Sequence, residues 1–383
     1  RSALAEFASR LQLRPDRHVA SLALDAATIA EVLQEKGWNT YALGKWHLTP
    51  PDELSMAASK RTWPTHRGFD RYYGFLGAET DQWYPDLVQD NQSIDQPYTV
   101  EEGYHLSKDL ADRAIGMIAD AKQVAPDKPF FMYYAPGAGH ATHHAPKEWA
   151  DKYKGVFDDG YDVYAKETFE RMQNLGNIIP EGTELAPMSS DDDATGVDGE
   201  PWPELDEIRP WDSLNDDEKT LFRRMAEVWA GYMSYTDHHI GRILDYLEEI
   251  GDMDNTLVIV MGDNGHFTKY SPQSGYTPMV FRGGKGSTTE GGVRVDAFVR
   301  WPGMVEADSV AGDIVHVVDL FTTLARIGGA MGEVPRDRLI DGLDQTSLLL
   351  NGDTHGRRDY VFLYNINALE AVVKEQYKLA IPG

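Results

Sequence analysis

Asn255-Thr256-Leu257-Val258-Ile259-Val260-Met261-Gly262-Asp263-Asn264-Gly265 is the stretch whose reading decides the fold. Leu257 to Met261 is a short unbroken apolar run rich in β-branched residues. That is the pattern of a strand buried on both faces, as in a parallel sheet. Gly262 ends it, and an acid and an amide follow at once. Ligands of open α/β sheets bind outside the carboxyl ends of the strands, which is where Asp263 and Asn264 fall. Two adjacent hard oxygen donors suit Ca²⁺ or Mg²⁺ better than zinc. Asp-Asn-Gly is equally the composition of an ordinary turn, so this stretch needs support from elsewhere in the chain.

Working upstream, two further units have the same layout. Asp25 is expected to cap a helix with Ile29, Val32 and Leu33 on its buried face and Gly37 as its stop. A strand over Asn39 to Leu43 follows and runs into Gly44-Lys45-Trp46-His47-Leu48. In extended backbone, residues i and i+2 point to one side, which would turn Lys45 and His47 toward a common pocket. Ser107 is expected to cap a second helix with Leu110, Ala114, Met117, Ile118 and Ala121 as its apolar stripe. Phe130 to Tyr134 then reads as another buried strand, followed by His140, His143 and His144. No acid or thiol stands near these histidines at zinc-site spacing.

Working downstream, Arg282-Gly283-Gly284-Lys285-Gly286-Ser287-Thr288-Thr289-Glu290-Gly291-Gly292 is a Gly-rich frame that does not meet Gly-x-x-x-x-Gly-Lys-Ser/Thr. Lys285, on a flexible loop that exposes backbone, reads as an anion contact. A helix is expected from about Ser213 to Ile250, where Gly251 stops it. Asp359 to Tyr364 and Ala371 to Ile381 alternate like strands of a small antiparallel sheet.

The expected fold class is α/β: a large, mixed, mostly parallel sheet flanked by helices, with a smaller C-terminal antiparallel sheet. Residues 1–350 would form the main domain, with an acidic excursion over about 158–212 that includes Asp191-Asp192-Asp193. Residues 351–383 would be part of a small α+β subdomain. The 383 residues carry a net charge of −26, which argues against nucleic acid and anionic membranes as partners. There is no cysteine, so disulfides and thiolate metal sites within the chain are excluded. No apolar run approaches the ~18 residues of a membrane span. The strand ends carrying Lys45 and His47, His140, and Asp263 with Asn264 are expected at one rim of the sheet, with Lys285 nearby. A dication, two lysines and two histidines suit a tetrahedral oxyanion.

With those residues in view, a family resemblance emerges. Gly44-Lys45-Trp46-His47-Leu48 resembles the lysine-histidine motif of the sulfatases, within the alkaline phosphatase superfamily. Pro129-Phe130-Phe131 leading to His140 and Ala145-Pro146 resembles the family's next segment, and Gly262-Asp263-Asn264-Gly265 its metal motif. Gly284-Lys285-Gly286-Ser287-Thr288-Thr289-Glu290-Gly291-Gly292 resembles its second lysine motif. The resemblance implies an alkaline-phosphatase-like fold, a bound Ca²⁺ rather than Mg²⁺, and hydrolysis of sulfate monoesters, most like the arylsulfatase branch. It implies that Asp263 and Asn264 ligate the metal and that Lys45 and Lys285 neutralise sulfate charge. His140 would protonate the leaving oxygen, and His47 would help expel sulfate. The family's nucleophile is a formylglycine made from the first residue of Cys/Ser-x-Pro-x-Arg, a motif this chain lacks. It is expected upstream, and Arg1-Ser2-Ala3-Leu4 resembles the tail of that motif, which leaves open whether Arg1 is its arginine. The substrate class implied is a small-molecule or saccharide sulfate ester. Hydrolysis of phosphonate monoesters or phosphodiesters, and binding of sulfated ligands without turnover, are the alternatives. Oligomeric state and compartment stay open, with a periplasmic or secreted setting favoured over a cytoplasmic one.

Overall fold

The computed structural model describes residues 22–175, 179, 182–185, 210–266, 281, 283–352, 354–365 and 368–381. Arg1 and Asp191-Asp192-Asp193 lie outside the described residues. In chain order come α1 (Ile29–Glu35), β1 (Asn39–Lys45), β2 (Arg71–Phe75), β3 (Val88–Gln89), β4 (Gln92–Ser93), α2 (Leu106–Val124) and β5 (Phe130–Ala135). Then follow α3 (Tyr161–Asn174), α4 (Asp216–Glu249), β6 (Val258–Met261), β7 (Ala297–Arg300) and α5 (Asp319–Ile327). The chain closes with α6 (Thr346–Asn351), β8 (Tyr360–Asn365), β9 (Ala368–Lys374) and β10 (Tyr377–Ala380). Among the described residues no helix is long and apolar enough to cross a membrane.

The chain divides into two compact units. The first comprises Arg1–His144, Thr236–Ile250 and Val315–Ser347; the second comprises Ala145–Tyr235, Gly251–Ile314 and Leu348–Gly383.

In the first unit the strands lie in the order β4-β3-β2-β1-β5. β1 runs parallel to both β2 and β5, while β2-β3 and β3-β4 are antiparallel. This is the mixed, mostly parallel sheet expected, with α1 and α2 packed on it. The five inner residues of β1 are all buried, as a continuous apolar run demands. β5 is less covered, and Tyr133 is 45% exposed, because β5 ends the described strand order. Trp46, Trp63, Phe69, Tyr72 and Leu76 form one core cluster. Val32 and Leu33 of α1 meet Ala325 of α5 in another. Each fully buried large apolar side chain is worth roughly 1.5–3 kcal/mol over its exposed state.

The helix starts differ from expectation by a few residues. Thr28, not Asp25, caps α1: its hydroxyl accepts from Glu31 N at 3.0 Å and Glu31 Oε2 accepts from Thr28 N at 2.7 Å. That capping box satisfies two orphan donors reciprocally. His105, not Ser107, caps α2, its Nδ1 accepting from Ser107 N at 3.1 Å. Histidine carries an acceptor nitrogen in its neutral form, which a search for Ser, Thr, Asp or Asn misses.

In the second unit, Asn215 and Glu218 form the capping box of α4 through reciprocal 2.9 Å bonds. Phe222 and Ala226 of α4 pack with Phe157, Tyr161 of α3, Trp211 and Leu214. β8, β9 and β10 make the small antiparallel C-terminal sheet in the order β10-β9-β8. β6 corrects one expectation. It is a strand where the apolar run required one, but among the described residues its partner is β7, antiparallel. Val260 is 46% and Met261 37% exposed, so β6 is not buried on both faces. A β-branched run specifies extended backbone; its neighbours are chosen by distant residues.

Candidate active site

In the first unit, β1 and β5 are parallel and in register through Gly44 and Ala135, so their carboxyl ends meet at one sheet edge. The backbones are very close there. A Cβ on Gly44 would stand 2.0 Å from Ala135 O, and Gly44 has φ +91°. Only glycine tolerates both conditions. Tyr72 Oη donates to Gly44 O at 3.0 Å from a buried position. Beyond β1, Trp46 N donates to Phe75 O at 3.0 Å and His47 N to Leu76 O at 3.1 Å. The buried Trp46 ring adds a bond from Nε1 to Thr62 O at 2.9 Å. Trp46 therefore anchors the segment that carries Lys45 and His47. His47 is exposed with φ +50°. The i, i+2 rule assumes unbroken extended backbone, which Gly44 and His47 both leave, so the rule does not orient this pair.

His140 follows the end of β5 by five residues and is partly buried. Its Nδ1 lies 2.8 Å from Ala141 O and 3.4 Å from Glu79 Oε2. Both are acceptors, so Nδ1 carries the proton and Nε2 is left to gain or lose one. His143 has its pKa lowered by burial before all else. His144 Nδ1 lies 3.4 Å from Asp81 Oδ1, and its carbonyl is 3.1 Å from His105 Nε2. His105 is 1% exposed. Its Nδ1 is spent on Ser107 N, so Nε2 is the donor and the ring is neutral. Burial first, partly offset by the His144 carbonyl, pushes its pKa down to about 4. Glu79, Asp81 and His105 were not singled out from sequence, since no local pattern couples them to a loop more than thirty residues away. Among the described residues no three His, Asp or Glu side chains gather as a metal site.

In the second unit, Asp263 is exposed and Asn264 partly buried at the carboxyl end of β6. The next two residues tie this turn to the Lys285 loop. Gly265 N donates to Gly292 O at 3.1 Å, and Lys285 N donates to His266 O at 2.7 Å. A Cβ on Gly265 would fall 1.9 Å from Gly291 O, so glycine permits the approach. Within the loop, Ser287 Oγ donates to Gly284 O at 2.8 Å and lies 2.6 Å from Thr289 Oγ1. The loop is thus laced shut rather than flexible, because its glycines remove the side chains that would hold two backbones apart. The structure brings Asp263, Asn264 and Lys285 onto one scaffold in this unit, and places Lys45, His47 and His140 in the other.

These features define an α/β protein with cationic and hard-oxygen groups beyond the carboxyl ends of its strands, where such folds bind ligands. The chain belongs to the sulfatase family, whose model matches residues 4–330. It is 28% identical over 356 residues to an uncharacterized sulfatase of Schizosaccharomyces pombe, covering 81% of this chain and 58% of that one. It is 24% identical over 345 residues to an arylsulfatase of Klebsiella aerogenes, covering 79% of this chain and 68% of that one. The chain therefore spans well under the full length of these relatives. A solved structure in complex with its substrate D-glucosamine-2-N,6-O-disulfate shares the fold, with TM-score 0.62 and 19% identity over 94% of this chain and 73% of that one.

Proposed function

We propose that the protein is a sulfuric ester hydrolase of the arylsulfatase type, in which water and a small-molecule or saccharide sulfate monoester give an alcohol or phenol and sulfate, the oxygen of water ending on sulfur. The observation that supports this most strongly is the pair of backbone bonds lacing the Asp263-Asn264 turn to the Lys285 loop, Gly265 N to Gly292 O and Lys285 N to His266 O. They hold a hard-oxygen pair and a cation on one rigid frame, within a chain that the sulfatase model spans. The sugar disulfate held by the structural relative supports a saccharide as one substrate class.

Asp263 and Asn264 are the residues that would hold Ca²⁺. The donor set fits in kind, since both offer hard oxygens, and supplies two of the six to eight that Ca²⁺ takes. Ca²⁺ would supply positive charge to sulfate oxygens. Lys45 and Lys285 neutralise charge on the sulfuryl group as the S–O bond lengthens. His140 gives a proton from Nε2 to the leaving oxygen, because Ala141 O and Glu79 occupy Nδ1. His47 would help expel sulfate. A formylglycine precursor motif does not occur in this sequence, which contains no cysteine.

The test is turnover by the full-length gene product of an aryl sulfate, a glucosamine sulfate and an aryl phosphonate. Lys285→Ala is expected to lower kcat/KM on the sulfate by about 10²–10³, and chelation to lower it reversibly. Absence of sulfate release, or preference for the phosphonate, would sink the reading.

A further inference from the structure

The C-terminal sheet contains a feature that its own packing does not require. In β8 and β9, Leu363 pairs with Ala371 and Tyr364 with Leu369, so Glu370 has no opposite residue. A bulge of this kind frees the extra residue from the ladder and re-aims its side chain. Glu370 Oε2 accepts from Thr288 Oγ1 at 2.8 Å, and Oε1 accepts from Asn365 Nδ2 at 2.9 Å. From β10, Lys378 Nζ donates to the Thr288 carbonyl and lies 3.0 Å from Glu290 Oε1. Thr288 is thus gripped at its hydroxyl and at its carbonyl by residues 82 and 90 positions away. It stands three residues from Lys285.

Apolar burial does not account for β10. All four of its residues are exposed, with Tyr377 at 70% and Leu379 at 67%. The Lys378 side chain, by contrast, is only 26% exposed where it meets Glu290. A strand that buries little yet directs one lysine onto the backbone of a distant loop holds that loop in place. The family match ends at residue 330, well before Glu370 and Lys378.

We infer that Glu370 and Lys378 are positioning residues that clamp the loop over 284–290 and so fix where Lys285 presents its ammonium group. The inference rests on the sulfuric ester hydrolase reading and adds the C-terminal sheet to that machinery. A lysine that neutralises charge developing in the transition state works only from a defined position. Loosening the clamp therefore lowers kcat more than it raises KM.

The experiment compares Lys378→Met, Lys378→Arg and Glu370→Ala in the full-length protein, with Lys374→Met as control. Lys374 lies on β9 and pairs with exposed Asp359 at 3.8 Å. Lys378→Met and Glu370→Ala are expected to cut kcat on an aryl sulfate by about tenfold or more, with KM moving by less than about threefold. Lys378→Arg keeps the charge and donors and is expected to restore activity to within about threefold, and Lys374→Met to stay within about twofold. Hydrogen exchange at the amides of 284–290 is expected to quicken by about tenfold in Lys378→Met and Glu370→Ala. Unchanged kcat and unchanged exchange overturn the inference, as does a loss that only follows a lowered melting temperature and is not restored by Lys378→Arg. If the parent protein releases no sulfate, the hydrolase reading fails separately. The clamp is then judged on exchange alone, which supports it if faster and overturns it if not.

Discussion

Acidification from pH 7 to pH 5 is expected to destabilise the first unit through His105. The ring is 1% exposed, with Nδ1 accepting from Ser107 N and Nε2 donating to His144 O. Protonating it would replace an acceptor with a donor facing another donor. Burial pushes its pKa from 6.5 down to about 4. The sign follows from proton counts: between those values the unfolded chain binds a proton that the folded chain does not. The stability due to the neutral ring is present above pH 6.5 and is lost as pH falls through 6.5 toward 4. Linkage puts the loss between pH 7 and pH 5 at about 2 kcal/mol. His105→Gln cannot titrate and retains a side-chain donor for the His144 carbonyl. Urea denaturation of both proteins at the two pH values isolates the effect, because His239, also pushed down to about 4 chiefly by burial, is common to both. The variant is expected to lose about 2 kcal/mol less than the parent across this interval. Equal losses in the two proteins, or a His105 ring seen by NMR to titrate near 6.5, would refute the reasoning.

Two other outcomes follow from close packing. Gly44→Ala places a methyl 2.0 Å from Ala135 O at φ +91° and is expected to cost about 3 kcal/mol from strain and overpacking. An unchanged denaturation midpoint would contradict this. Asp319 is fully buried and accepts from His316 N, Leu343 N and Gln345 Nε2. Asp319→Ala orphans those donors and is expected to cost about 3 kcal/mol, with Asp319→Asn milder. An unchanged denaturation midpoint in Asp319→Ala would show that the carboxylate's hydrogen bonds are not what matters.

Much of the local structure was legible in the sequence. The apolar runs over Asn39 to Leu43, Phe130 to Tyr134 and Leu257 to Met261 fall on strands, the helical pattern ending at Gly251 is α4, and the two alternating stretches near the C-terminus are three strands, β8 to β10, because the second folds back on itself as a hairpin. The cap of α1 was misread because Asp25 and Thr28 are both good acceptors, and only the course of the chain decides which one reaches the first-turn amide. Arg67 shows the same limit. It could have been a surface cation, yet it is 2% exposed and donates to Ala26 O at 2.7 Å and Glu31 Oε1 at 3.1 Å.

By itself, the sequence determined which segments are extended or helical, which family the chain resembles, and which residue types stand at strand ends. The first depends on neighbours one to four positions apart, through backbone sterics and side-chain periodicity, and the resemblance rests on the order of short motifs between Gly44 and Gly292. Tertiary structure alone decided that β6 pairs with β7, that His140 sits against Glu79, and that Glu370 and Lys378 grip Thr288. Such contacts join residues tens of positions apart. They form only after the chain has closed on itself, when desolvation and geometry select one partner among many that are chemically alike.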